Sequence, residues 1–300
     1  LRHFHSLCIA EVSEDSYECI FSSILRGHLS LQPDKEPLMP SAVNLVKSTI
    51  NVYRSIASSL LPTPSKCHYT FNMRDVSKVF QGMLAFDAAE IESDDKMSAL
   101  WLHEMCRVFG DRLIDAPECN WFYEKLILNC KSLTKYTPER LEQLCFSSVS
   151  GSRYQQSVKP EEINAAVQES LKSYALMTGK DLNLVVFSDM VKHVCRIKRV
   201  LSFPRGHALL LGIAGSGKRA LATLSAFLNR NHLCKVEVTR NYKLQTWRDD
   251  LKSMLRLAAK EPTIEGQRGV TLLMSEDQLA NDALLEDVNG LLNGAEVPNL

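Results

Sequence analysis

The run Gly212-Ile213-Ala214-Gly215-Ser216-Gly217-Lys218 carries the spacing G-x-x-x-x-G-K of a phosphate-binding loop. Its glycines let the backbone turn tightly and lay its N–H groups against phosphate oxygens. A helix starting at the end of the loop adds the partial positive charge of its N-terminus, and Lys218 adds a full one. The next position ordinarily carries Ser or Thr, whose hydroxyl holds a magnesium ion, but here it is Arg219. A guanidinium cannot ligate a metal, and it competes with one for the same phosphate charge. The expected ligand is therefore ATP or ADP, with Mg2+ disfavoured.

A second chemical element lies downstream. The apolar segment Val270-Thr271-Leu272-Leu273-Met274 ends in Ser275-Glu276-Asp277. In P-loop NTPases an acid closing a strand beside the loop strand faces the metal, and a neighbouring carboxylate polarises the attacking water. Glu276 is read as the metal-side acid and Asp277 as its catalytic neighbour, in the order Glu-Asp rather than Asp-Glu. Acidic residues are also common at solvated strand ends; the phosphate loop upstream favours the chemical reading.

Little else in the chain suggests chemistry. Eight histidines form no H-E-x-x-H, and His103-Glu104 is followed by no ligand at metal spacing. The pair His3 and His5 could share one strand face, but an isolated pair is weak as a metal site. Nine cysteines, an odd number without a C-x-x-C, argue for reduced thiols in a cytosolic setting. A formal net charge of zero gives no support for nucleic-acid or membrane affinity. The longest apolar run, Ala208 to Ala214, is too short to span a bilayer. No secretory signal is visible, and the chain reads as a piece of a longer polypeptide.

The elements that must position these residues fall into two halves, as 300 residues with 45% apolar content allow. After a strand ending at Leu7-Cys8-Ile9-Ala10, the first half reads as helical. Helices are expected over 16–29, with Ile20, Phe21, Ile24 and Leu25 on one face, and over 42–60, capped by Ser41. Gln32 to Pro40 reads as a loop, and further helices start near Asn72, Ser98 and Trp121. Ser147 to Ser152 reads as a linker. Helices over 161–177 and 189–201 then lead into an alternation: strand 208–211, helix 218–229, strand 235–239, helix 244–259, strand 269–274, helix 283–292. That alternation predicts an α/β fold with a parallel, doubly wound sheet.

Several blocks resemble the dynein heavy-chain family, its axonemal members most. They are Pro204 to Gly212 running into the loop, Leu182-Asn183-Leu184-Val185-Val186-Phe187, His193 to Ile197, Leu61 to Asp75, and Gly294 to Asn299. The resemblance covers essentially the whole chain. It implies a P-loop NTPase of the AAA+ type preceded by a helical lid. By position, residues 1–12 would close the third AAA+ module of a motor ring, 13–146 would be its lid, 147–160 a linker, and 161–300 the large subdomain of the fourth module.

The resemblance also implies roles. Gly212 to Lys218, with Arg219, would bind nucleotide; Glu276 would be the metal-side acid; Leu184, Val185 and Val186 would line the adenine pocket. Arg74 would be the sensor arginine of the preceding module, and Arg2 falls near an arginine-finger position. An arginine in the first turn of a helix opposes the helix dipole and so calls for an anion, although pairing with Asp75 would serve equally. The implied function is an ATP-driven microtubule motor of cilia or flagella, in the cytoskeleton. Its partners would be neighbouring AAA+ modules, microtubules, and dynein intermediate and light chains. A midasin-like non-motor AAA+ ring and a structural module with an empty pocket are the competing readings. With Arg219 and the shifted carboxylates, binding with little turnover is expected at this site.

Overall fold

In the computed structural model, residues 3, 5–8, 12–129, 145–149, 154–157, 160–236, 242–260, 269–278, 282–294, 296–297 and 300 are described. The chain divides into two compact units, Leu1–Phe146 with Arg153–Gln156, and Ser147–Ser152 with Ser157–Leu300.

The first unit is helical: α1 (Glu14–Leu29), α2 (Met39–Ser59), α3 (Met73–Leu84), α4 (Asp94–Val108) and α5 (Ala116–Asn129). Side chains set the starts. The Ser13 hydroxyl accepts from the Ser16 N–H, Asn72 and Asp75 close a capping box, and the Ser93 hydroxyl accepts from Lys96 N–H. The expected loop over 32–40 is instead a 3-10 helix, Pro33–Leu38, that runs directly into α2. Ser41 is therefore inside α2 and caps nothing; Pro40 fills the first turn, where its missing N–H costs no hydrogen bond. In α1 the buried stripe is Phe21, Leu25 and Leu29, while Ile20 and Ile24 stand exposed. Neighbours in sequence sit about 100° apart on a helix, so only the i, i+4 set reaches the core.

Helix α2 packs against α1, α3, α4 and α5. Its Leu45, Val46, Ile50 and Val52 are buried as the spacing requires. Trp101 of α4 is fully buried and donates its indole N–H to Thr49 Oγ1 at 2.7 Å. Residues 5–8 form no strand, and Leu7 is exposed; Arg2, Ile9 and Ala10 lie outside the described residues. Where a linker is expected, β1 (Cys145–Ser147) and β2 (Gln155–Ser157) pair as a two-stranded sheet.

The second unit holds α6 (Pro160–Thr178), α7 (Ser188–Ser202), α8 (Lys218–Leu228), β3 (Asn231–Lys235), α9 (Leu244–Ala259), β4 (Gly269–Leu273) and α10 (Asp282–Asn293). Strands β3 and β4 are parallel, with Asn231 opposite Gly269 and Lys235 opposite Leu273. The α/β class and the parallel pairing agree with expectation, but two strand positions do not. The strand expected at 235–239 is at Asn231–Lys235, because Arg230 takes a left-handed φ of 57° and turns the chain straight from α8 into β3. Residues 237–239 lie outside the described set. Segment 208–211 is not a strand: no described residue pairs with it, and Leu209 and Leu211 are 81% and 68% exposed. A strand exists through its hydrogen-bonded neighbour, and alternating leucines alone do not make one.

Candidate nucleotide site

The chain reaches the loop through Pro204-Arg205-Gly206. Gly206 cannot be replaced there, since a Cβ would lie 1.8 Å from the Val200 carbonyl oxygen. In the loop itself Gly215 and Gly217 have φ of 80° and 78°, the left-handed region that L side chains avoid. Gly217 is the N-cap of α8, and no side chain caps that helix. No side chain takes up the N–H groups of its first turn, which are left to solvent or a ligand.

Lys218 turns back over the loop. Its Nζ donates to Gly212 O at 2.8 Å, Ile213 O at 2.6 Å and Ser216 Oγ at 3.3 Å, and the Ser216 hydroxyl donates to Ile213 O at 2.9 Å. The lysine holds the loop curled around its ammonium. Ala214 and the rest of Gly212 to Ser216 are exposed, so the cradle is open to solvent.

Arg219 extends from the first turn of α8 to the acidic turn after β4, where its Nη2 meets Asp277 Oδ1 at 2.9 Å. Both side chains are about 70% exposed (68% and 71%), so the pair adds little to stability. The Ser275 hydroxyl first, then the local backbone N–H, and also Arg219 hold the Asp277 carboxyl below its ordinary value. Gln278 fixes this turn: its Oε1 accepts from Ser275 N at 2.8 Å and its Nε2 donates to Val236 O. Glu276 is exposed, and Asp277 rather than Glu276 meets the loop helix. Nothing in the sequence singled out Gln278, whose role depends on β3 lying beside β4.

The cradle fits a phosphate chain: left-handed glycines, an uncapped helix start and a cation lie together. The residues do not fit magnesium. The position of the hydroxyl ligand holds a guanidinium, and the carboxylate facing the loop already has that guanidinium as its cation. Of the expected adenine-side residues, Leu184 reaches the loop, its Cδ2 lying 3.7 Å from where a Cβ on Gly217 would be. Val186 is half-buried, whereas Val185 is 77% exposed.

Arg74 belongs to the first unit. It is exposed in the first turn of α3, with its backbone N–H donating to Asn72 Oδ1 at 2.9 Å. Asp75 does not take it as partner; it is held by Arg112 at 2.9 Å and Lys78 at 3.6 Å. Arg112 also donates to His68 O and Thr70 O and lies over the Phe71 ring, 4.3 Å from its centroid. Lys66 bridges Asp115 and Glu118, and the Tyr69 hydroxyl donates to Glu118 at 2.6 Å. These contacts pin the segment leading into α3 and leave the Arg74 guanidinium outward. Among the described residues no three of His, Cys, Asp or Glu form a metal-holding group, and no helix is long and apolar enough to cross a membrane.

Comparison with known proteins follows the same division. The family model for the P-loop containing dynein motor region D4 matches residues 182–300, and that for an AAA+ lid domain matches 45–142. Dynein axonemal heavy chain 1 of Homo sapiens is 36% identical across the whole chain. The chain belongs to the dynein heavy-chain family. The Dynein-1-beta heavy chain, flagellar inner arm I1 complex, of Chlamydomonas reinhardtii is 34% identical over 99% of the chain. Dynein axonemal heavy chain 3 of Homo sapiens is 31% identical over all of it. The chain spans 7–8% of the length of these dyneins.

Proposed function

We propose that this chain is the part of a dynein heavy chain that joins the lid of the third AAA+ module, residues 13–146, to the large subdomain of the fourth, 161–300. Residues 1–12 would close the third module, and 147–160 would connect the two. The loop 212–218 would bind the phosphates of ATP or ADP, and the parent would be an ATP-driven microtubule motor of the ciliary or flagellar axoneme. Its partners would be the neighbouring AAA+ modules, microtubules, and intermediate and light chains. The relatives named above are dyneins, which favours this reading over a midasin-like scaffold.

The observation that carries the nucleotide reading is the loop with two left-handed glycines feeding an uncapped helix, inside the segment matched by the D4 model. Gly212 to Gly217 wrap the phosphates with backbone N–H groups, Lys218 and Arg219 supply charge, and Leu184 offers apolar surface beside the loop. Phosphoryl transfer is catalysed by positioning and charge neutralisation. With Arg219 on Asp277 and Glu276 turned to solvent, the site binds nucleotide and turns it over little or not at all. Arg74 would serve the third module's nucleotide as its sensor. The test is calorimetric titration of the chain with ADP, alongside Gly217→Ala, whose Cβ is strained at φ 78°. Binding lost in Gly217→Ala with unchanged helical circular dichroism is expected; equal binding by both overturns the assignment.

A further inference from the structure

The ion pair between Arg219 and Asp277 spans the two elements that would flank a bound phosphate chain, the start of α8 and the turn after β4. We propose that Arg219 is the resident cation of this site and takes the place of magnesium, so that the ligand is the metal-free nucleoside di- or triphosphate. This rests on the nucleotide reading above.

Four observations carry it. First, in the ligand-free loop the lysine is already engaged. An ammonium has three donors, and all three of Lys218 go to Gly212 O, Ile213 O and Ser216 Oγ. Second, a guanidinium has five donors in a planar fork that matches phosphate oxygens, and Arg219 spends one on Asp277. Arg219 is thus the cation at the loop with donors to spare, and its 68% exposure leaves it room to meet a ligand.

Third, Asp277 is not a loose surface acid. Gln278 ties its turn to the end of β3 through Val236, and Ser275 N–H closes the turn onto Gln278. Asp277 therefore gives the guanidinium a fixed seat facing the loop. Fourth, among the described residues of the loop, the start of α8 and the turn after β4, the cations Lys218 and Arg219 are matched by the acids Glu276 and Asp277. A divalent ion would have to displace Arg219 from Asp277 and then sit beside an arginine that does not deprotonate.

The experiment is equilibrium titration of the full chain with ADP and with ATP, once in EDTA and once in excess magnesium, for the unmodified chain, Arg219→Ser and Arg219→Gln. The side chain is exposed, so both variants are expected to fold, and circular dichroism checks this. The unmodified chain is expected to bind within about threefold of the same affinity in both conditions. Losing a charge-assisted contact to phosphate should weaken Arg219→Ser by about tenfold or more in EDTA, with recovery in magnesium as the hydroxyl ligand returns. Arg219→Gln should be weakened in both conditions. Binding by the unmodified chain that is tenfold or more tighter with magnesium overturns the proposal, as does Arg219→Ser equal to it in EDTA; binding still abolished by Gly217→Ala would then leave the nucleotide reading standing. No binding in any condition overturns both.

Discussion

Replacing Lys218 by alanine is expected to weaken nucleotide binding without abolishing it, and the contacts of Nζ set the size of the effect. In the ligand-free loop the ammonium satisfies two carbonyls and one hydroxyl, at 2.8, 2.6 and 3.3 Å. To bond a phosphate oxygen it must give up at least one of these, because it has only three donors. Both the bond gained and the bond given up have an ionised donor and fall at about 1.5–3 kcal/mol; the phosphate bond, charged at both ends, stands at the top of that range and the bond to a neutral carbonyl at the bottom, a net of about 1–1.5 kcal/mol. That corresponds to roughly a 5- to 12-fold rise in Kd. Titration with ADP in EDTA, where magnesium plays no part, measures it directly. A change below about twofold would mean that the ammonium never leaves the loop. A loss beyond about a thousandfold would mean that the loop has no shape without its lysine, and the backbone cradle would then not be the main source of affinity.

Three further outcomes follow from packing. Asp287 is buried on α10, accepting from the Trp247 indole at 3.1 Å and from Arg248 at 3.3 Å; Asp287→Ala strands a fully buried donor and should cost about 3 kcal/mol, read from urea-dependent exchange of the Trp247 indole proton. Thr49→Val removes the acceptor of the buried Trp101 indole and should cost about 2 kcal/mol in urea unfolding of the first unit, whereas Thr49→Ser, which keeps the hydroxyl, should cost less. Lys66 first, and then Tyr69, hold the Glu118 carboxyl below its ordinary value; a depressed acid stabilises above its unfolded pKa, and this is lost as pH falls through the folded one. Stability of the first unit should therefore drop on acidification below the ordinary carboxylate range, and Glu118→Gln should flatten that slope in thermal melts.

What the sequence by itself determined is whatever neighbouring residues decide among themselves. The glycine-rich loop is legible because its glycines and lysine stand at a fixed spacing within seven consecutive residues. The helices of the first unit are legible through their apolar spacing, although the caps at Ser13 and Ser93 went unread and the expected starts at Ser98 and Trp121 fall inside α4 (Asp94–Val108) and α5 (Ala116–Asn129). The family is legible because its blocks are contiguous.

The tertiary structure decided the rest. Arg219 meets Asp277 across 58 residues, and Trp247 meets Asp287 across 40; no local spacing says which of Glu276 and Asp277 pairs with Arg219. The apolar character of 208–211 suggested a strand, yet Leu209 and Leu211 face solvent, because strand formation requires a partner chain that residue type cannot supply. Likewise Ile20 and Ile24 lost the core to Phe21, Leu25 and Leu29, since the face of an amphipathic helix is chosen by what packs against it. Local geometry is written in consecutive residues; contacts, burial and the pairing of charges belong to the fold.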